Sequence, residues 1–160
     1  MVEKTDMDDM IKMLADAPEE QRKTMIIERF KMIGSQPEAQ RIESVKGILL
    51  AVAKLDPKKK RDFIRTRTNA MLELPPDTRK AVQVARVKAG PQVPEEVNQS
   101  DMMGIIQTCM EWPKERHKMF LDNLGAVFKE LNMQMPDVES MIQMMSKTRE
   151  EMKKPWWKFW

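Results

Sequence analysis

Apolar residues recur along most of this chain at the three- and four-residue spacing of an α-helix. The clearest example lies in residues 38–53, at Ile42, Val45, Ile48, Leu49 and Val52. Positions spaced i, i+3, i+4 and i+7 share one side of a helix, so this run predicts an amphipathic helix with its apolar side against a core. We expect it to be the most buried helix of the protein.

Prolines separate these apolar stretches at a nearly constant interval. The steps are 19, 20, 19, 18 and 19 residues, with a longer step of 23 before the last proline: Pro18, Pro37, Pro57, Pro76, Pro94, Pro113 and Pro136. Proline is tolerated at the first helical position, where its missing N–H would have no intrahelical partner. We therefore predict one helix per interval, opened by its proline.

The helix boundaries follow from capping and breaking residues. Asp56 is a suitable N-cap for the helix at Pro57, and Ser100 is preferred over Pro94 as the start of the sixth helix. Residues 90–100 have the weakest helical pattern and two prolines, so we expect a long loop or a subdomain boundary there. The first helix is expected over about 6–15, and the eighth is expected to begin at Pro136.

These elements predict an all-α fold of about eight short helices with a period of roughly 19 residues. Two such intervals match the size of a helical-repeat unit, so a bundle of helical hairpins and a short α-solenoid fit equally well. The predicted organisation is one helical domain over 1–152, with a subdivision near 90–100 as an alternative, followed by an aromatic and basic tail over 153–160.

Arginines follow several of the prolines at a similar distance: Arg22, Arg41, Arg61, Arg79 and Arg116. A cation in the first turn of a helix opposes the macrodipole, so a different reason for these positions is needed. Two interpretations stay open. Each arginine reaches back to the carbonyl end of a neighbouring helix, or each lies in solvent.

Charge is distributed unevenly, although the formal net charge is only +3. Residues 21–90 carry 17 Lys/Arg against seven Asp/Glu, a balance of +10, while residues 1–20 have a balance of −5 and residues 91–130 of −3. This asymmetry indicates an anionic partner or charge pairing between helices.

The basic block contains a candidate binding face, predicted at Lys58, Lys59, Lys60, Arg61, Arg65, Arg67, Arg79 and Lys80. Such a face suits an acidic protein or anionic lipid. Nucleic acid is a minor alternative, because Phe63 is the only aromatic residue among these charges that could stack on a base. A solvated helix surface is the simplest interpretation.

The last residues hold the strongest functional pattern of the chain: Lys153, Lys154, Trp156, Trp157, Lys158, Phe159 and Trp160. Tryptophan favours the membrane interface, and lysine adds attraction to anionic headgroups of about 1 kcal/mol each. The segment is too short to span a bilayer. It predicts an interfacial anchor. Two alternatives are that the segment inserts into a protein partner, or that it folds back and fills a groove of its own chain.

Methionine is abundant, with 17 residues. Thioethers bind Cu(I), so a copper-handling protein is one weak hypothesis. Groups such as Met141, Met144 and Met145 also follow helical spacing, which favours packing in a core or an interface.

Few residues are available for catalysis. Cys109 and His117 are the only cysteine and histidine, there is no tyrosine, and no zinc spacing or phosphate-binding loop occurs. Cys109 is predicted to be a buried thiol and His117 to lie at the surface. We therefore expect no enzyme activity, no cofactor and no metal site. The single cysteine excludes an intrachain disulfide and favours a reducing compartment.

The sequence thus predicts a non-enzymatic helical interaction module. Its expected role is that of an accessory or assembly subunit that docks on a membrane or a membrane-protein complex through its Trp/Lys-rich tail. The first alternative is a soluble helical-repeat adaptor whose basic face over 57–88 binds an acidic protein or nucleic acid. The second is a Met-rich Cu(I)-binding protein.

Overall fold

The computed structural model describes the backbone of residues 4–153 and the side chains of residues 6–147. Within those limits the chain forms eight α-helices and one 3-10 turn, and no strand. The elements are α1 (Lys4–Asp16), α2 (Glu19–Gly34), α3 (Glu38–Ala53), α4 (Pro57–Met71), α5 (Pro76–Ala89), the 3-10 turn (Gly90–Gln92), α6 (Glu95–Met110), α7 (Lys114–Glu130) and α8 (Val138–Lys153). The all-α prediction is confirmed, and the packing is that of a helical bundle or short solenoid.

The prolines do open the helices, but most of them lie one position earlier than predicted. Pro57 and Pro76 occupy the first helical turn as expected, with Asp56 Oδ1 accepting a hydrogen bond from the Lys59 N–H at 3.0 Å. The prolines before α2, α3, α6 and α7 are instead N-cap residues, with ψ between 141° and 152°. An N-cap residue has an extended backbone, and its carbonyl accepts the first helical hydrogen bond. Proline suits this position because the role needs its carbonyl and not an N–H.

Two boundary predictions are wrong. Residues 95–100 are helical, because α6 begins directly after Pro94 rather than at Ser100, and Glu95 and Glu96 in its first turn suit the positive end of the macrodipole. No long loop separates α5 from α6, since the 3-10 turn continues from α5. The eighth helix begins two residues after Pro136, where the Asp137 carboxylate accepts a hydrogen bond from the Ser140 N–H at 3.0 Å.

Helices that are two positions apart along the chain pack against each other. The pairs are α1–α3, α2–α4, α3–α5, α4–α6, α5–α7 and α6–α8, and consecutive helices contact each other less. The main core is built from α1 to α5, with Ile11, Phe30, Leu49, Phe63 and Val82 among its buried side chains. Helix α6 closes over α3 and α4.

The prediction that residues 38–53 form the most buried helix is wrong. Helix α3 has five buried residues, whereas α4 has seven, because α4 also buries Thr66, Arg67 and Thr68. The two threonine hydroxyls donate to the carbonyls of Asp62 and Ile64 of their own helix, at 2.9 and 2.7 Å. Buried polar groups are tolerated when they are hydrogen-bonded, so apolar spacing alone underestimates the burial of α4.

The repeated arginines divide between the two interpretations. Arg22 and Arg79 reach back to helix carbonyls, so the first interpretation is confirmed for them. Arg61 is exposed. Arg116 does neither, because its Nη2 donates to Asn69 Oδ1 at 2.9 Å while its guanidinium lies 4.8 Å from the centre of the Trp112 ring.

Candidate functional site

The predicted anchor follows α8 directly. Lys153 is the last residue of α8, and its side chain is not among those described. The remaining residues of the anchor lie outside the described residues: Lys154, Trp156, Trp157, Lys158, Phe159 and Trp160. The anchor therefore stays a prediction.

Half of the eight residues of the predicted basic face form ion pairs with carboxylates from other parts of the fold. Lys59 Nζ lies 2.7 Å from Asp16 Oδ1 of α1, and Lys80 Nζ lies 2.9 Å from Glu130 Oε2 of α7. Arg65 Nε lies 3.2 Å from a carboxylate oxygen of Glu111, just beyond α6. Charge pairing between helices thus accounts for part of the charge asymmetry seen in the sequence.

Two arginines of the predicted face do not belong to an exposed surface. Arg67 is buried, and Arg79 is partly buried while it donates to the carbonyls at the end of α4. The other basic residues at the start of α4 are Lys58, Lys60 and Arg61, which have no ion-pair partner among the side chains of residues 6–147. We call these three residues the α4 basic patch.

A buried charge cluster joins α4, α5 and α6. Asp101 lies between two arginines, with Oδ1 at 2.8 Å from Arg67 Nη2 and Oδ2 at 3.0 Å from Arg86 Nε. The Asp101 side chain is only 5% exposed. Arg86 also donates from Nη2 to Asn98 Oδ1 at 2.8 Å. A buried carboxylate needs such partners, because the desolvation cost of an isolated charge is large.

The sequence offers one signal for this cluster, and the prediction overlooked it. Asp101, Gly104 and Thr108 are spaced by three and four residues, and they form a buried side of α6 made of polar and small residues. Gly104 permits the close approach of α6 to α4, since an added Cβ would lie 2.8 Å from Ile64 Cδ1. The same close approach brings Asp101 to Arg67.

A cavity of about 80 Å³ lies beside the cluster. Its accessible wall is almost wholly apolar, although Arg67, Thr68, Gln83 and Arg86 are among the lining residues. The apolar lining comes from six helices, α2 to α7, and consists of Phe30, Val45, Ile48, Leu49, Met71, Val82, Ile105, Phe120 and Leu124. Gln83 is buried, and its Nε2 has no hydrogen-bond partner in the described part of the chain.

Cys109 and His117, the only cysteine and histidine of the chain, lie in different environments. Cys109 is 1% exposed, as predicted, and its burial raises the pKa of the thiol to about 12. A nucleophilic cysteine needs a lowered pKa, so this thiol is held in its unreactive form at neutral pH. His117 was predicted to lie at the surface, but its side chain is only 17% exposed, and its Nε2 lies 3.5 Å from Glu139 Oε1 of α8.

Methionines occur in the core and on the surface. Met7 and Met10 pack against the core, in agreement with the packing interpretation. The large hydrophobic side chains that are exposed within residues 6–147 are all methionines: Met13, Met32, Met103, Met119, Met133 and Met144. In that same range, no group of three or more His, Cys, Asp or Glu side chains is arranged to hold a metal ion.

Comparison of the chain with the profiles of known protein families, with curated proteins and with solved structures finds no match. None of the helices between residues 4 and 153 has the length and apolar character needed to cross a lipid bilayer.

Proposed function

We propose that this chain is a non-enzymatic helical accessory or assembly subunit, and that it docks on an anionic membrane surface through residues 153–160. The observation that carries the proposal is the composition of that segment. Three of the four tryptophans of the chain, one phenylalanine and three lysines fall within its eight residues.

The energetics of such a segment favour reversible binding. Burial of four aromatic side chains contributes about 25 cal/mol for each Å² of apolar area, which amounts to several kcal/mol. Ordering the segment on the surface offsets part of this gain. The contribution of the lysines is screened by salt, so the association should weaken but not vanish at high ionic strength.

The exposed methionines support the role of an interaction module. Methionine has a flexible and polarisable side chain, and it is common on surfaces that adapt to several partners. Met13 and Met32 are both 57% exposed, on α1 and α2 respectively. Apolar side chains of this kind suit contact with further subunits while residues 153–160 hold the protein at the membrane.

Vesicle flotation tests the proposal. The full chain is mixed with vesicles of phosphatidylcholine alone or with added phosphatidylserine, and the floating fraction is measured at low and high salt. We expect flotation with the anionic vesicles, and its loss when Trp156, Trp157, Phe159 and Trp160 are all changed to alanine. Circular dichroism of that variant should remain helical. Equal flotation of the variant would contradict the proposal.

Two matched variants separate the anchor from the alternative adaptor function, which the unpaired charges of the α4 basic patch favour. One variant changes Lys153, Lys154 and Lys158 to glutamine, and the other changes Lys58, Lys60 and Arg61 to glutamine. Both variants remove three positive charges, so a nonspecific effect of net charge on vesicle binding would be the same for the two. We expect only the first to weaken flotation. A larger effect of the second would instead favour a partner that binds the α4 basic patch.

A further inference from the structure

The helices repeat with a constant step of 19 residues. The N-caps of α2 to α7 follow one another at this interval: Pro18, Pro37, Asp56, Pro75, Pro94 and Pro113. Residues with the same offset from the N-cap are therefore equivalent and can be compared from helix to helix. In a stack of repeats each helix packs against its neighbours, so a packing position should be buried in every helix unless a neighbour is missing.

One side of each helix faces the helix two positions earlier in the chain. Gly104, ten residues after its N-cap, lies in α6 against Ile64 of α4, and the equivalent Gly47 of α3 lies against Met7 of α1. The residue four positions further along shares this side, because it is about one helical turn away. In α3 to α7 that residue is only 0–3% exposed, and it is Ala51, Ala70, Ala89, Thr108 or Val127.

The same side is exposed on the first two helices. Met32 of α2 and Met13 of α1 are the equivalent residues, and both are 57% exposed, since the described chain has no helix two positions before either of them. We call this side of α1 and α2 the end face, and it comprises Asp6, Asp9, Met13, Met25, Glu28 and Met32. Because the equivalent side of α3 to α7 packs against a helix, a helix is the occupant that suits the end face.

The end face is acidic around its methionines. Asp6 and Asp9 are exposed and have no ion-pair partner among the side chains of residues 6–147. Glu28 lies 3.7 Å from Lys31 of its own helix, and Lys12 and Lys31 lie beside the face, so its three carboxylates outnumber the neighbouring cations. Electrostatic complementarity then favours a positively charged partner, whereas a second copy that presented the same face would bring like charges together.

We propose that the end face binds a basic amphipathic helix of a partner protein. The apolar side of that helix, with residues spaced by three and four, packs on the methionines, while its Lys or Arg side chains meet the carboxylates. Methionine suits such a site because its side chain is flexible and polarisable. The proposal goes beyond membrane docking and does not depend on it, since the site is formed by α1 and α2 rather than by residues 153–160.

Titration of the full chain with a fluorescent helical peptide of leucine and lysine tests the proposal. A second peptide has glutamate in place of every lysine, so it keeps the apolar side and reverses the charge. Binding is followed by fluorescence anisotropy and by the NMR shifts of the methionine methyl groups. We expect saturable binding of the lysine peptide, about tenfold weaker binding of the glutamate peptide, and shifts at Met13 and Met32 but not at Met103.

Two pairs of methionine variants locate the site. Met13→Gln combined with Met32→Gln should weaken binding of the lysine peptide about tenfold, because apolar contact area is lost. Met103→Gln combined with Met119→Gln, at positions 42% and 46% exposed on α6 and α7, should leave binding unchanged. Circular dichroism should remain helical in both; if a variant fails to fold, the methyl shifts of the native chain decide.

Three results would overturn the proposal: no saturable binding, equal binding of the two peptides, or equal weakening by the two pairs of variants. Sedimentation of the chain without peptide tests the other occupant. Self-association that is abolished by Met13→Gln combined with Met32→Gln would show that a second copy, and not a basic helix, covers the end face.

Discussion

Arg22 and Arg79 make the same three backbone hydrogen bonds with the same sequence offsets. In each case Nε donates to the carbonyl eight residues earlier, and Nη2 donates to those seven and five residues earlier; the distances are 3.0, 3.1 and 2.8 Å for Arg22 and 3.2, 3.2 and 3.0 Å for Arg79. Both arginines stand four residues after an N-cap proline, Pro18 or Pro75. One side chain thus satisfies the carbonyls at the end of the preceding helix, which would otherwise have no intrahelical partner.

This capping role predicts that lysine cannot replace Arg22. Its buried guanidinium also donates from Nη1 to Thr66 Oγ1 at 3.1 Å, and an ammonium group cannot reproduce this fork of donors. We expect Arg22→Lys to lower the free energy of unfolding by about 1–3 kcal/mol. Urea denaturation followed by circular dichroism measures the change. Arg61→Lys is the control, since Arg61 is exposed four residues after Pro57. A comparable loss in the control would show that the backbone contacts are unimportant.

The buried charge cluster predicts a strong dependence of stability on Asp101. Asp101→Asn keeps the shape of the side chain but leaves Arg67 and Arg86 without a compensating charge. Removing one member of a buried ion pair typically costs about 3–5 kcal/mol. Asp122→Asn, on the exposed side of α7, should change stability by less than about 0.5 kcal/mol. The midpoint of urea unfolding should therefore shift only for Asp101→Asn, and similar midpoints for both variants would refute the energetic role of the cluster.

Replacing either of two helix-interior glycines with alanine should change the stability of the protein, but in opposite directions. A Cβ on Gly104 would lie 2.8 Å from Ile64 Cδ1, so Gly104→Ala should destabilise the protein by about 1–3 kcal/mol through overpacking between α6 and α4. A Cβ on Gly47 would lie 3.4 Å from Met7 Cε, an ordinary contact. Gly47→Ala should then stabilise the protein by about 0.5–1 kcal/mol, because alanine has the higher helix propensity. Thermal denaturation measures both, and stabilisation by Gly104→Ala would contradict the observed helix spacing.

The buried thiol predicts a loss of stability at alkaline pH. Burial raises the pKa of Cys109 from 9.0 to about 12, so between these values the unfolded chain releases the thiol proton while the folded chain keeps it. The unfolded state binds fewer protons in that window, and the free energy of unfolding must fall as pH rises, by at most about 1.4 kcal/mol per pH unit. The stability conferred by the neutral thiol is complete below pH 9.

Urea denaturation between pH 8 and 10 can isolate this effect. The chain has no tyrosine, so no phenol titrates alongside the thiol. The Cys109→Ala variant should show a flatter dependence of stability on pH than the native chain, whatever its stability at pH 7. Parallel curves for the two proteins would show that the thiol ionises equally in the folded and unfolded states.

Local chemistry was enough to predict the helices of this protein. The spacing of apolar residues identified all eight, and Asp56 was recognised as an N-cap, because helical period and capping depend on residues within a few positions of each other. The start of α6 was missed by several residues. There, Gln99 and Ser100 resembled a loop in sequence, whereas the acidic first turn after Pro94 and the packing of α6 on α3 and α4 hold them in a helix.

The buried charge cluster could not be predicted in the same way, since it depends on contacts between distant parts of the chain. Arg67 had the same local character as Lys58 or Arg61, and the sequence placed all three on one basic face. Tertiary packing buried Arg67 against Asp101, which is 34 residues further along the chain, and placed Gln83 beside them at a cavity. A charge run shows where the charges are, but only the arrangement of helices decides which charges are desolvated and paired. For this protein the sequence by itself determined the helical elements, and the tertiary structure decided which polar residues lie inside.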